Sequence, residues 1–192
     1  MNMWRYWSSS LLLCAGLLMS AAGHAQGDPQ LLGRWRINTE LSDNTDKQVE
    51  RALKAAGEKI QRSWFDRRKD FYRGGPAEQE LYDRLSYDTV LTITEGDDAY
   101  VFEYADNFRR PVYTDNRSRS VSLTALDSVE DFLLGHWENN KFLVEAHPRD
   151  GGFASGTYTL LNNGARLQVE FLIRPQSFEK EIELKRVYDR EP

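Results

Sequence analysis

The chain has 192 residues, 25 basic and 30 acidic side chains, a net charge of −5 and one cysteine. That balance argues against a nucleic-acid binder, which carries a basic excess to meet phosphates, and one cysteine cannot make a disulfide framework. The acidity favours solubility and constrains function no further.

Residues 1–25 read as a cleavable secretion signal. Arg5 supplies a positive start, Leu11 to Met19 an apolar run, and Gly23-His24-Ala25 puts small residues at the two cleavage-defining positions. The run falls short of the ~20 apolar residues that span a bilayer. Cys14 follows Leu13, where a lipoprotein signal wants a small residue, and it lies in mid-run. Cleavage after Ala25 removes 25 of the 192 residues and leaves 167, residues 26–192, the size of one domain. Losing Arg5 and Cys14 leaves 24 basic against 30 acidic groups and no cysteine, so the fold must rest on its core. A bacterial periplasm is the expected location, with secretion from the cell as the alternative and no stable membrane insertion after cleavage.

Leu31 to Ile37 reads as a first strand, and Ser42, Asp43 and Asn44 are candidates to cap a helix beginning near Thr45. From about Thr45 to Arg68, Val49, Leu53, Ala56, Ile60 and Trp64 recur at spacings of three and four, the stripe of an amphipathic helix. Gly74-Gly75-Pro76 interrupts it, and Ala77 to Leu85 suggests a second, shorter helix, so the helical segment spans about 45–85. From Tyr87 the period becomes two. Strands are expected at 88–94, 99–104, 111–113, 118–123, 132–137, 142–146, 153–161, 166–173 and 178–188, punctuated by turns such as Glu138-Asn139-Asn140-Lys141. Leu167, Val169, Phe171 and Ile173 share a face, as do Ile182 and Leu184, while Glu181, Glu183 and Lys185 point the other way. Short strands at regular intervals predict an antiparallel sandwich or barrel.

Gly33-Arg34-Trp35 on the first strand resembles the Gly-x-Trp motif that opens lipocalin-like barrels. The segments Trp137 to Val144, Gly156 to Leu160, Asn163 to Val169 and Arg186 to Arg190 are similar to the tail of small exported bacterial lipocalin-like proteins. The resemblance implies a mainly β, antiparallel calycin-type barrel of about 8–9 strands, to which the periodicity adds a helical insertion after the first strand. It also implies that Gly33, Trp35 and an arginine of the last strand close one end. Arg186 continues the inward register of Ile182 and Leu184. A buried guanidinium needs a partner or a ring to stack on, so Arg186 is expected on Trp35. The helix is one departure: lipocalins place theirs after the barrel, whereas this order is closer to fatty-acid-binding proteins, so lipocalin ligand rules do not transfer.

Catalytic and metal motifs are weak. His147 and Glu145 share a strand face opposite Phe142, Val144 and Ala146, and His136 stands alone beside Trp137, so neither reads as a ligand set. There is no Gly-x-Ser-x-Gly elbow and no phosphate loop in a strand-to-helix context. No catalytic residue, metal or cofactor is assigned. Two basic clusters remain: Arg62, Arg67, Arg68, Lys69 and Arg73 among Trp64, Phe65, Phe71 and Tyr72, and Arg109, Arg110, Arg117 and Arg119. Each reads as a solvated charged face. The first also reads as a barrel rim gripping an anionic head group while an apolar body enters the interior.

Three functions stay open. The first is a non-catalytic periplasmic protein binding a small apolar or amphipathic ligand, with Trp64, Arg68 and Tyr72 at the mouth and Tyr100, Phe102 and Tyr104 inside. The second is a cell-envelope structural or protein-interaction module with a filled barrel. The third is an unrecognised hydrolase or isomerase. No nucleic-acid partner is expected, and the sequence does not give the oligomeric state.

Overall fold

Alternating apolar and polar residues pair into strands that bury one face. The computed structural model describes residues 28–57, 88–115, 119–121, 131–147, 152–177 and 180–192. Within them lie β1 (Gly33–Ile37), α1 (Thr45–Ala55), β2 (Val90–Gly96), β3 (Ala99–Tyr104), β4 (Arg109–Tyr113), β5 (Arg119–Val121), β6 (Asp131–Glu138), β7 (Lys141–His147), β8 (Phe153–Leu161), β9 (Arg166–Arg174) and β10 (Ile182–Arg190). The ten strands form one sheet in the order β4-β3-β2-β1-β10-β9-β8-β7-β6-β5, and their pairings are antiparallel.

The topology is a meander folded back on itself. Each pair of neighbours is sequential except β1 and β10, the chain's first and last strands, since β1 pairs with β10 as well as with β2. Tight turns set the register. Asn139 and Asn140 both take left-handed backbone (φ 48° and 61°), the type I′ geometry that matches strand twist.

Among the described residues, the sheet's two ends meet without a ladder. A Cβ added to Gly135 of β6 would fall 2.5 Å from Val112 Cγ1 and 3.2 Å from the Tyr113 carbonyl oxygen, both on β4. Glycine is what lets the two strands touch. The result is a nearly closed, mainly β barrel with a helix, α1, inserted after the first strand.

Asn44 caps α1, accepting from the Lys47 N–H at 3.0 Å, and Val49, Ala52 and Leu53 are buried where the helix lies against β10. The periodicity predicts one helix running on to Arg68, but α1 ends at Ala55. Gly57 takes φ +78°, the left-handed position that terminates helices, and its N–H reaches back to the Lys54 carbonyl. Ile60, Trp64 and the second expected helix lie outside the described residues.

Candidate functional site: the barrel interior

Inward positions of paired strands grade from large to small. Across β7 and β8, Phe142 faces Tyr158, Val144 faces Gly156, and Ala146 faces Ala154. At the large end, Phe142 packs against Tyr100, Phe102, Trp137 and Tyr158 at ring-centroid distances of 5.1–6.3 Å. Aromatic rings fill that half of the interior. Toward the small end a cavity of about 40 Å³ opens. Its wall includes Leu91, Val144, Ala146 and Ala154, and polar groups of Asp88, Tyr104, Arg110, Tyr158 and Tyr188 converge there.

Asp88, just before β2, is the centre of a buried network. One of its oxygens, Oδ2, accepts from Arg186 Nε and from the Tyr188 hydroxyl, each at 2.7 Å. Both members of the ion pair have side chains only 5% exposed. Arg186 also donates to the Asp43 carbonyl and to Thr45 Oγ1, tying the start of α1 to β10. Burial raises the Asp88 carboxyl above its ordinary value, while the Arg186 charge and the Tyr188 and Arg186 hydrogen bonds pull it down. Burial also pushes the Tyr158 and Tyr188 phenols well above theirs, so both stay protonated donors. Asp88 and Arg186 also border an outer cleft beside Asp43, Thr45 and Asp46, so Asp88 stands between cleft and cavity.

Arg110 is different. It alternates with Val112 as an inward residue of β4 and is 7% exposed, yet its Nε has no hydrogen-bond partner among the described residues. Its neighbour Arg109 points outward to Glu103 at 3.3 Å.

Closure of the barrel departs from expectation. Trp35 is fully buried and donates from Nε1 to the Leu31 carbonyl at 3.0 Å. The guanidinium over its ring, 4.2 Å from the centroid, is that of Arg190 rather than Arg186. Register decides this: β1–β10 pairing sets Trp35 opposite Arg190. Arg186, two inward positions earlier, meets Asp88 instead. Arg190 further donates to the Gly164 carbonyl at 2.7 Å, to the Leu32 carbonyl at 2.9 Å and to the Gln30 carbonyl. Gly33 makes room, since its φ is +138° and a Cβ there would lie 2.6 Å from Arg190 Nη1.

Of the expected ligand residues, Tyr104 lines the cavity, whereas Phe102 is buried in the aromatic half and Tyr100 is half-buried against Phe142. Trp64, Arg68 and Tyr72 lie outside the described residues. Sequence reasoning missed Asp88, Arg110, Tyr158 and Tyr188. Only Arg110 carried a signal, its period-two phase with Val112 and, across the pair, Phe102. His147 is exposed against Phe153, and no group of three His, Cys, Asp or Glu that could hold a metal ion occurs among the described residues.

No protein-family model and no curated protein matches the sequence. Solved structures do resemble it. Lipid binding protein 8 of Caenorhabditis elegans, in its apo form, matches with a TM-score of 0.51 at 17% identity, over 84% of this chain and 96% of that one. A fatty acid transporter designated REP1-NXSQ matches with a TM-score of 0.50 at 12% identity, over 86% of this chain and 98% of that one. At such identities the likeness is one of fold alone.

Proposed function

We propose that this chain is an exported, non-catalytic barrel protein that holds a small apolar or amphipathic molecule in its interior. The observation that carries the reading is the cavity itself: an apolar wall of Val144, Ala146 and Ala154 with a few polar groups converging at one side. Binding sites have that composition. The named functions of the two structural neighbours, lipid binding and fatty acid transport, agree with it. Export to the periplasm rests on the signal-like pattern of residues 1–25 and on a mature chain free of cysteine.

Native mass spectrometry of the protein purified from its own host tests the reading. A small molecule retained at one per chain and released on unfolding is the expected result. A bare mass, together with no binding of any apolar probe to the purified protein, overturns it. Those results would favour the envelope module, for which the ring-filled half around Phe102 and Phe142 speaks. Cell fractionation tests export: the mature mass, shortened by residues 1–25, should appear outside the cytoplasm.

A further inference from the structure

β1 pairs with β10 only from Tyr188 to Arg190. Upstream of Tyr188, β10 is met instead by residues 38–45, the connection from β1 to α1. The Asn38 N–H donates to the Val187 carbonyl at 2.7 Å, and the Asp43 N–H to the Lys185 carbonyl at 2.8 Å. The return bonds use side chains in place of backbone: the Val187 N–H donates to Ser42 Oγ at 2.9 Å, and the Lys185 N–H to Asp43 Oδ2 at 2.8 Å. Arg186 adds two more, to the Asp43 carbonyl and to Thr45 Oγ1. The connection is thus a strap laid along β10. Residues 38–44 bury no apolar side chain, and Leu41, the one large apolar residue among them, is exposed. A segment held by hydrogen bonds that water can replace has the low local stability from which opening motions are drawn.

The strap also stands where the interior has its thinnest wall. Asp88 is the one residue that borders both the inner cavity and the outer cleft of about 280 Å³, whose sides include Thr39, Ser42, Asp43 and Thr45 of the strap. Other ways in are shut by firmer contacts: Arg190 over Trp35 at one end, and the fully buried Val112 and Phe142 at the seam. We propose that the strap is a gate: residues 38–45 lift from β10, Arg186 follows its acceptors into the cleft, and the wall at Asp88 opens to admit and release the interior molecule. This inference rests on the proposed ligand binding and adds to it the route and the moving part. Arg186 makes the opening concerted. One guanidinium holds Asp88 in the wall and Asp43 and Thr45 in the strap, so lifting the strap strips it of two acceptors at once. It also sits at the N-terminus of α1, the positive end of the helix dipole, and hydration in the cleft relieves that repulsion.

The test measures how fast two neutral probes, fluorobenzene and a terminally fluorinated octanol, enter and leave the mature protein, followed by fluorine magnetic resonance. It is run on wild type and on S42A, T45V and G33A. Ser42 and Thr45 border the cleft and not the cavity, so neither touches the bound probe. S42A and T45V are expected to speed entry and exit together by about three- to tenfold, with the equilibrium affinity unchanged. G33A loosens the opposite anchor, at Arg190, and should leave both rates as in wild type. A merely structural role for the strap does not produce that split. Hydrogen exchange on wild type gives a second measurement that needs no variant. The Asp43, Lys185 and Val187 amides should exchange about a hundredfold faster than those of β9, which is paired on both sides. Rates unaltered in S42A and T45V, equal acceleration by G33A, or strap amides as slow as those of β9 would each overturn the gate and leave ligand binding by the barrel standing. If wild type binds neither these probes nor any other apolar molecule, the ligand reading falls and takes the gate with it.

Discussion

The Arg190 guanidinium lies 4.2 Å over the Trp35 ring and donates to three backbone carbonyls, those of Gln30, Leu32 and Gly164. One side chain thus ties the last strand to the turn preceding β1 and to the β8–β9 connection. Arg190→Ala should cost about 2–3 kcal/mol from the lost cation–π contact and charge-assisted bonds. Gly33→Ala should cost a similar ~2–4 kcal/mol, because a Cβ at φ +138° is strained and stands 2.6 Å from Arg190 Nη1. The two share one contact, so the double variant should lose less than the sum. Urea unfolding of all three measures this, and strict additivity would refute the shared contact.

Much of the barrel was legible because its signals are local. Alternation at Leu167 to Ile173 and the Asn139-Asn140 turn specify a hairpin within a few residues of themselves. The Gly33-x-Trp35 pair was legible for the same reason, since the glycine's unusual φ and the tryptophan lie two residues apart. Which arginine reaches Trp35 was not. Arg186 and Arg190 both point inward, and only the β1–β10 register, a contact between the two ends of the chain, separates them. Asp88 reads as an ordinary strand-edge polar residue until β10 brings Arg186 and Tyr188 to it. Arg110 was masked by its neighbour: Arg109-Arg110 looks like surface charge, though alternation sends one of any adjacent pair inside.

The Arg186–Asp88 pair should behave as a buried ion pair does. Arg186→Met leaves a carboxylate in the core without its cation, held by Tyr188 and a backbone hydrogen bond, and should cost about 3–5 kcal/mol. Adding Asp88→Asn removes the stranded charge while keeping an acceptor for Tyr188, and should recover a good part of that loss. The coupling expected from a double-mutant cycle is about 1–3 kcal/mol. Independent effects at the two sites would mean that the charges do not meet in solution.

Alkali should expose the buried phenols. An unfolded tyrosine ionises near pH ~10, whereas burial raises Tyr158 and Tyr188 well above that. A raised folded pKa contributes stability that is complete below the unfolded value and lost as pH climbs past it. The native protein should therefore keep these two phenols un-ionised beyond pH ~10 until it unfolds, and its stability should fall steadily over that range. Tyr158→Phe should flatten part of the fall. Tyrosinate absorbance followed alongside circular dichroism checks both; complete ionisation near the ordinary value with the fold intact is the contrary outcome.

The seam between β4 and β6 offers the most direct test of barrel closure, because packing at Gly135 does there what hydrogen bonds do between most other neighbours. A methyl group at 135 would stand 2.5 Å from Val112 Cγ1 and 2.7 Å from Phe142 Cζ. Val112 and Phe142 are both fully buried and have nowhere to retreat. Gly135→Ala should therefore destabilise by about 1–3 kcal/mol, the range for overpacking a full core. Val112→Ala alone should be destabilising through the small void it leaves. Combined, the two should offset each other in part, since the void on β4 receives the new methyl group of β6. Compensation of that kind requires the strands to be in contact across the seam. If Gly135→Ala is silent and the pair is merely additive, the sheet's ends stand apart and the barrel is open along that line.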